Sequence, residues 1–85
     1  MVTSYLPRIA EQDYGAFQRV LKDAPATFKE WEHDLMLMAA DLNSKGWSVE
    51  SVDVDLDAFK KYCDLTQSPY SLESLDNFAF KVGVA

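Results

Sequence analysis

The sequence predicts a small, mostly helical α+β domain of about four helices, with one short strand between the second and third. Three observations predict it. Apolar residues recur at spacings of three and four in four separate stretches, which is the helical period. Between the second and third of these, Trp47–Val54 is instead rich in β-branched residues, which suit a pleated strand. The third is size: 85 residues, 48% hydrophobic with two Trp, four Tyr and five Phe, supply apolar surface for one core and no second. With no internal repeat and no linker, residues 1–85 read as a single domain.

Asp13 is a good N-cap ahead of Tyr14, Phe17, Val20 and Leu21, and Pro25 ends that helix by disfavouring helical geometry at Ala24. Gly15 lies in its first turn and costs roughly 1 kcal/mol of propensity relative to Ala, so this helix depends on packing. Thr27-Phe28-Lys29-Glu30 is a capping box that opens the second helix. Phe28, Trp31, Leu35, Met38 and Leu42 form its apolar stripe, Asp41 and Lys45 pair one turn apart, and Gly46 supplies the left-handed residue that stops it. Its middle, Leu35-Met36-Leu37-Met38-Ala39-Ala40, is apolar through more than a full turn. A helix apolar all round is covered on several sides, and so short a chain has little protein to cover it with. A second copy would.

In the strand Trp47–Val54, Trp47 and Val49 share one face while Val52 and Val54 share the other. This implies a bulge near Glu50-Ser51 or burial on both faces. A lone strand leaves its ladder groups unsatisfied. The expected partner is either the N-terminal segment from Val2 to Tyr5 or the same strand across a dimer two-fold, with Pro7 confining any N-terminal strand to an edge. Asp55 caps a third helix carrying Leu56, Phe59, Tyr62 and Cys63 inward. Gln67–Tyr70 turns, and Ser71 caps a last helix striped by Leu72, Leu75, Phe78, Ala79 and Val82. The tail Gly83-Val84-Ala85 is expected to fray.

Fourteen acids against eight bases leave a net charge of −6, which would repel a phosphate backbone and disfavours nucleic-acid binding. The last two helices have helix-turn-helix spacing, but the second presents Glu73, Asp76 and Asn77 with Lys81 as its one cation, the wrong charge for reading DNA. No apolar run reaches the ~20 residues that span a bilayer. The opening Met1–Arg8 lacks a basic region followed by an apolar stretch, and Cys63 is the one cysteine. Together these lead us to expect a reduced, cytoplasmic setting without membrane attachment.

Several patterns suggest chemistry, and each has a plainer explanation. Asp53, Asp55, Asp57 and Asp64 approximate a calcium loop, yet Ala58 stands where its turning glycine belongs and a helix continues through the second half. Strand end, N-cap and helix-dipole roles account for the first three acids. His33 and Cys63 could form a nucleophilic pair, with Glu30 rather than the adjacent Asp34 able to orient the ring, but Cys63 belongs to an apolar stripe and reads as a small core residue. The three glycines are isolated, so there is no phosphate loop. No catalytic residue, metal site or cofactor is therefore expected. Trp31, Trp47, Tyr62 and Tyr70 could line a small aromatic pocket, although aromatics at helical spacing usually build core.

Asp13-Tyr14, Ala16-Phe17, Leu21, Pro25, Thr27-Phe28 and Glu30-Trp31 are followed by Gly46-Trp47, Val49 and Val52-Asp53-Val54-Asp55. Phe59, Tyr62-Cys63, Leu75 and Phe78-Ala79 complete the series. In order and spacing, over most of the chain, these resemble small uncharacterised bacterial proteins of mobile (integron) gene cassettes. The resemblance implies a fold and a bacterial source, and it carries no activity, ligand or catalytic residue onto this chain.

The expectation is thus a non-enzymatic homodimer that binds another protein, joined through Met36, Leu37 and Ala40 of the second helix and Val49, Val52 and Val54 of the strand. Two alternatives belong to other classes. One is an acidic inhibitor, antitoxin-like or DNA-mimicking, that covers a basic site on a target. The other is a small-ligand binder using the aromatic pocket.

Overall fold

In the computed structural model, which describes residues 2–84, the predicted strand finds its partner within the chain. β1 (Thr3–Arg8) and β2 (Ser48–Asp53) run parallel, in unbroken register from Thr3 opposite Ser48 to Arg8 opposite Asp53. Parallel neighbours need a long crossover. Here α1 (Glu11–Val20) and α2 (Phe28–Ser44) provide it, and α3 (Leu56–Thr66) and α4 (Leu72–Val84) follow β2. The fold is α+β and mostly helical.

The N-terminal strand runs further than expected, through Pro7 to Arg8. The ladder explains why proline is tolerated. Ser48 N–H donates to the Val2 carbonyl at 2.9 Å and Val54 N–H to the Arg8 carbonyl at 3.4 Å, so even-numbered β1 residues face β2. Pro7, odd-numbered and without an N–H, lies on the outer edge, where no ladder bond is lost. The unbroken register also removes the bulge expected near Glu50-Ser51. Both faces are covered instead. Tyr5 meets Phe80 of α4 edge-on at 6.0 Å, while Leu6 and Val49 face Leu35, Met36 and Ala39 of α2.

Helix ends follow their caps with two corrections. Thr27 Oγ1 accepts the Glu30 amide at 3.1 Å, Asp55 accepts the Ala58 amide at 3.0 Å, and Ser71 Oγ accepts the Ser74 amide at 3.3 Å. Gly46, at φ +86°, closes α2 in a Schellman turn: its own N–H bonds the Asn43 carbonyl and Trp47 N–H bonds the Leu42 carbonyl, both at 3.0 Å. Asp13, however, is not an N-cap. α1 starts at Glu11 behind Ala10, which offers no side-chain cap, and Asp13 sits in the first turn beside Glu11, where both carboxylates suit the helix dipole. Burial of Ile9 straight after β1 fixes this earlier start. Nor does α4 stop at Val82: it is helical through Gly83 to Val84, because hydrogen at Gly83 lets the helix lie directly on the Tyr5 ring, where a Cβ would collide; Ala85, the end of the tail expected to fray, lies outside the described residues.

The core gathers Tyr14 and Phe17 of α1, Trp31 of α2, Phe59 and Cys63 of α3, and Leu75 and Phe78 of α4, with Ile9 and Leu21. Asp23, between α1 and α2, ties the far ends together by accepting the Leu72 amide at 2.9 Å.

Candidate interaction surface

α2 lies on the sheet by one side only. Of its stripe, Trp31 is buried and Phe28, Leu35 and Leu42 are half-buried. In the all-apolar turn from Leu35 to Ala40 not one residue is buried. Met36 is 64% exposed, Leu37 57% and Met38 41%, and Ala40 is exposed beside them. Leaving three large apolar side chains in water forgoes burial worth up to roughly 1.5–3 kcal/mol each.

Beside that turn the sheet is open. Since Ser48 and Val54 direct their amides at β1, the alternation directs the backbone groups of Val49, Ser51 and Asp53 away from it. Among the described residues no hydrogen bond engages those groups. The two edges of the sheet therefore differ: Pro7 interrupts the β1 edge, whereas β2 presents an unpaired ladder. A groove of about 150 Å³ joins this edge to α2, lined by Leu6, Glu32, Leu35, Met36, Ala39, Val49 and Ser51.

Of the residues expected at an interface, Met36, Val49 and the neighbouring Leu37 and Ala40 thus share one region. Val52 does not. It lies opposite Pro7 and, with Val54, projects from the other face, half-buried on the α4 side; the backbone groups of both point at β1, so neither reaches the open edge or the groove. Leu6, Ala39 and Ser51 are additions that only the strand register makes visible.

The four aromatics are dispersed. Trp31 packs on Tyr14 at 5.8 Å and Phe28 at 5.7 Å, Tyr62 on Phe78 at 5.3 Å, and Tyr70 on Phe59 at 6.1 Å, while Trp47 is 38% exposed beyond the end of α2. The concavities lined by Trp31 and by Tyr62 are different ones.

Cys63 is buried, its Sγ directed at the Pro69 carbonyl at 3.7 Å, and burial pushes its thiol pKa up, away from the reactive thiolate. His33 stands exposed on α2. The calcium-like acids have separate duties. Arg8 donates to both Asp53 oxygens at 2.6 and 3.0 Å, which raises the arginine and lowers the carboxyl, Asp55 caps α3, and Asp64 accepts the Tyr70 hydroxyl at 2.8 Å. Among the described residues no three His, Cys, Asp or Glu side chains are placed to hold a metal ion.

One carboxylate that the sequence places on the presented face of the last helix is half-buried instead. Asp76 follows Leu72 by one turn of α4, on the border of the apolar stripe, and enters a small cleft with Trp31, Asp34 and Met38. Burial, then Asp23 and Glu73, push its pKa up to about 6.

Compared with known proteins, the chain matches no family model, no curated protein and no solved structure. No helix of the described residues is long and apolar enough to cross a membrane.

Proposed function

We propose that this chain is a non-enzymatic homodimer whose joined surface binds another protein. The observation that carries the reading is the uncovered turn Leu35–Ala40 lying next to an unpaired β2 edge. Two copies related by a two-fold axis perpendicular to the sheet pair β2 with β2 in antiparallel fashion, giving a four-stranded sheet with Pro7 at both outer edges. With the axis at Ser51, Val49 stands opposite Asp53 and Glu50 opposite Val52, so all outward backbone groups pair and no like charges meet. The same operation brings both α2 helices onto one face, where Met36 and Leu37 of each copy cover one another.

Light scattering at micromolar concentration tests this. The reading expects twice the 9.6 kDa chain mass. Met36→Lys and Leu37→Lys return it to the single-chain mass with circular dichroism unchanged, since neither side chain supports the core. A wild-type mass of one chain at all concentrations overturns the dimer. The acidic-inhibitor reading rests on the net charge of −6. It gains nothing from the β2–α3 junction, where Asp53 and Asp55 are engaged by Arg8 and the Ala58 amide.

A further inference from the structure

We propose that the groove between α3 and α4 binds an amphiphilic carboxylate, a single alkyl tail carrying one acid head. The groove measures about 350 Å³, near the lower end of the ~300–1,000 Å³ that small-molecule sites occupy, and so suits one tail rather than a folded partner. Its walls come from successive turns of the two helices. Tyr62 and Leu65 of α3 face Phe78 and Val82 of α4, and the Tyr62 and Phe78 rings touch at 5.3 Å to form the floor. Leu65 is 85% exposed, left uncovered by the described residues.

The charge of the groove selects the head. Its charged lining residues are Lys61 from α3 and Lys81 from α4, and among the described residues neither has a carboxylate partner. Lys81 Nζ instead stands 5.4 Å from the centre of the Tyr62 ring. In a chain of net charge −6 this is a local reversal. Two other clefts carry acids, Asp34 with Asp76 in one and Glu32 in the other. An acid head held between two ammonium groups from different helices gains attraction from both, while its tail lies over Tyr62 and Phe78 towards Leu65. An uncharged tail gains only the second part, and a cationic one is repelled.

The test is a titration of the intact protein with octanoate at low salt, followed by amide and methyl NMR, with 1-octanol and octylammonium as comparators. Octanoate is expected to move signals of Tyr62, Leu65, Phe78 and Val82 and to leave Met36 and Val49 unmoved. 1-Octanol should bind about tenfold more weakly, the ratio that two exposed ion pairs supply. Lys61→Gln with Lys81→Gln should bring octanoate down to the level of octanol without altering octanol binding, and Leu65→Glu should abolish both. All three side chains are on the surface, so circular dichroism should stay native. Equal binding of octanoate and octanol overturns the proposal, as does no binding of octanoate at millimolar concentration. Groove signals that move on dilution without ligand also overturn it, because a second copy would then fill the groove.

Discussion

Asp76→Asn should stabilise the protein at neutral pH and do almost nothing at acid pH. The carboxylate is half-buried where α4 meets α2, with Asp34 across the cleft, Glu73 on its own helix and Asp23 in the connection before α2. Burial first, then the charges of Asp23 and Glu73, raise its pKa from 3.8 to about 6. Between those values the folded protein holds a proton that the unfolded chain has released. Stability therefore falls as pH rises through this window and stays reduced above it. Two units at 1.36 kcal/mol each set a ceiling of about 3 kcal/mol, and solvent on the open side of the cleft brings the expected effect to about 1–2 kcal/mol. Asparagine keeps the shape and removes the charge. The assay is urea unfolding of both proteins at one concentration, followed by circular dichroism at about pH 4 and about pH 7.5. The variant should gain about 1–2 kcal/mol at the higher pH and little at the lower. An equal gain at both values, or none at either, would refute the assignment of this cleft as the origin of the raised pKa.

Other substitutions probe the frame. Gln67 ends α3 in the left-handed region at φ 55°, so Gln67→Gly should add about 0.5–1 kcal/mol in chemical denaturation, less any gain in unfolded-chain entropy. Gly83→Ala drives a methyl into the Tyr5 ring and should cost about 1–3 kcal/mol, with loss of the Tyr5–Phe80 ring contact visible in aromatic NMR shifts. Thr27→Ala removes the α2 cap and should lower unfolding free energy by about 1 kcal/mol, while Thr27→Ser should retain most of it.

The local signals in the sequence were legible because their causes are local. A capping hydroxyl three residues before Glu30, a glycine after Lys45 and an aspartate before Leu56 act within one turn, and all three do what their spacing implies. Asp13 shows the limit of such reasoning. It is as good a cap as Asp55 in isolation, but burial of Ile9 sets where the chain leaves the sheet, and the helix has begun before Asp13 is reached. Pro7 is similar: whether proline ends a strand depends on which edge its nitrogen faces, and that is a property of the pairing.

The candidate surface was half legible for the same reason. Six consecutive apolar residues marked the exposed turn of α2 without any structure. Which strand residues accompany it depended on register, which places Val49 with Met36 and sends Val52 and Val54 to the other face. The α3–α4 groove had a trace in the spacing of Tyr62 with Leu65 and Phe78 with Val82. Lys61 and Lys81 lie on different helices twenty residues apart, and only the packing of those helices brings them to one groove.

Amide hydrogen exchange along β2 bears most directly on the dimer. The amides of Glu50 and Val52 point at β1 and are protected in a single chain, whereas those of Val49, Ser51 and Asp53 have no partner among the described residues. If two chains join edge to edge, the second set exchanges slowly at high protein concentration and loses that protection on dilution, in step with the fall in mass. Rapid exchange at Val49, Ser51 and Asp53 at every concentration, beside slow exchange at Glu50 and Val52, would contradict it.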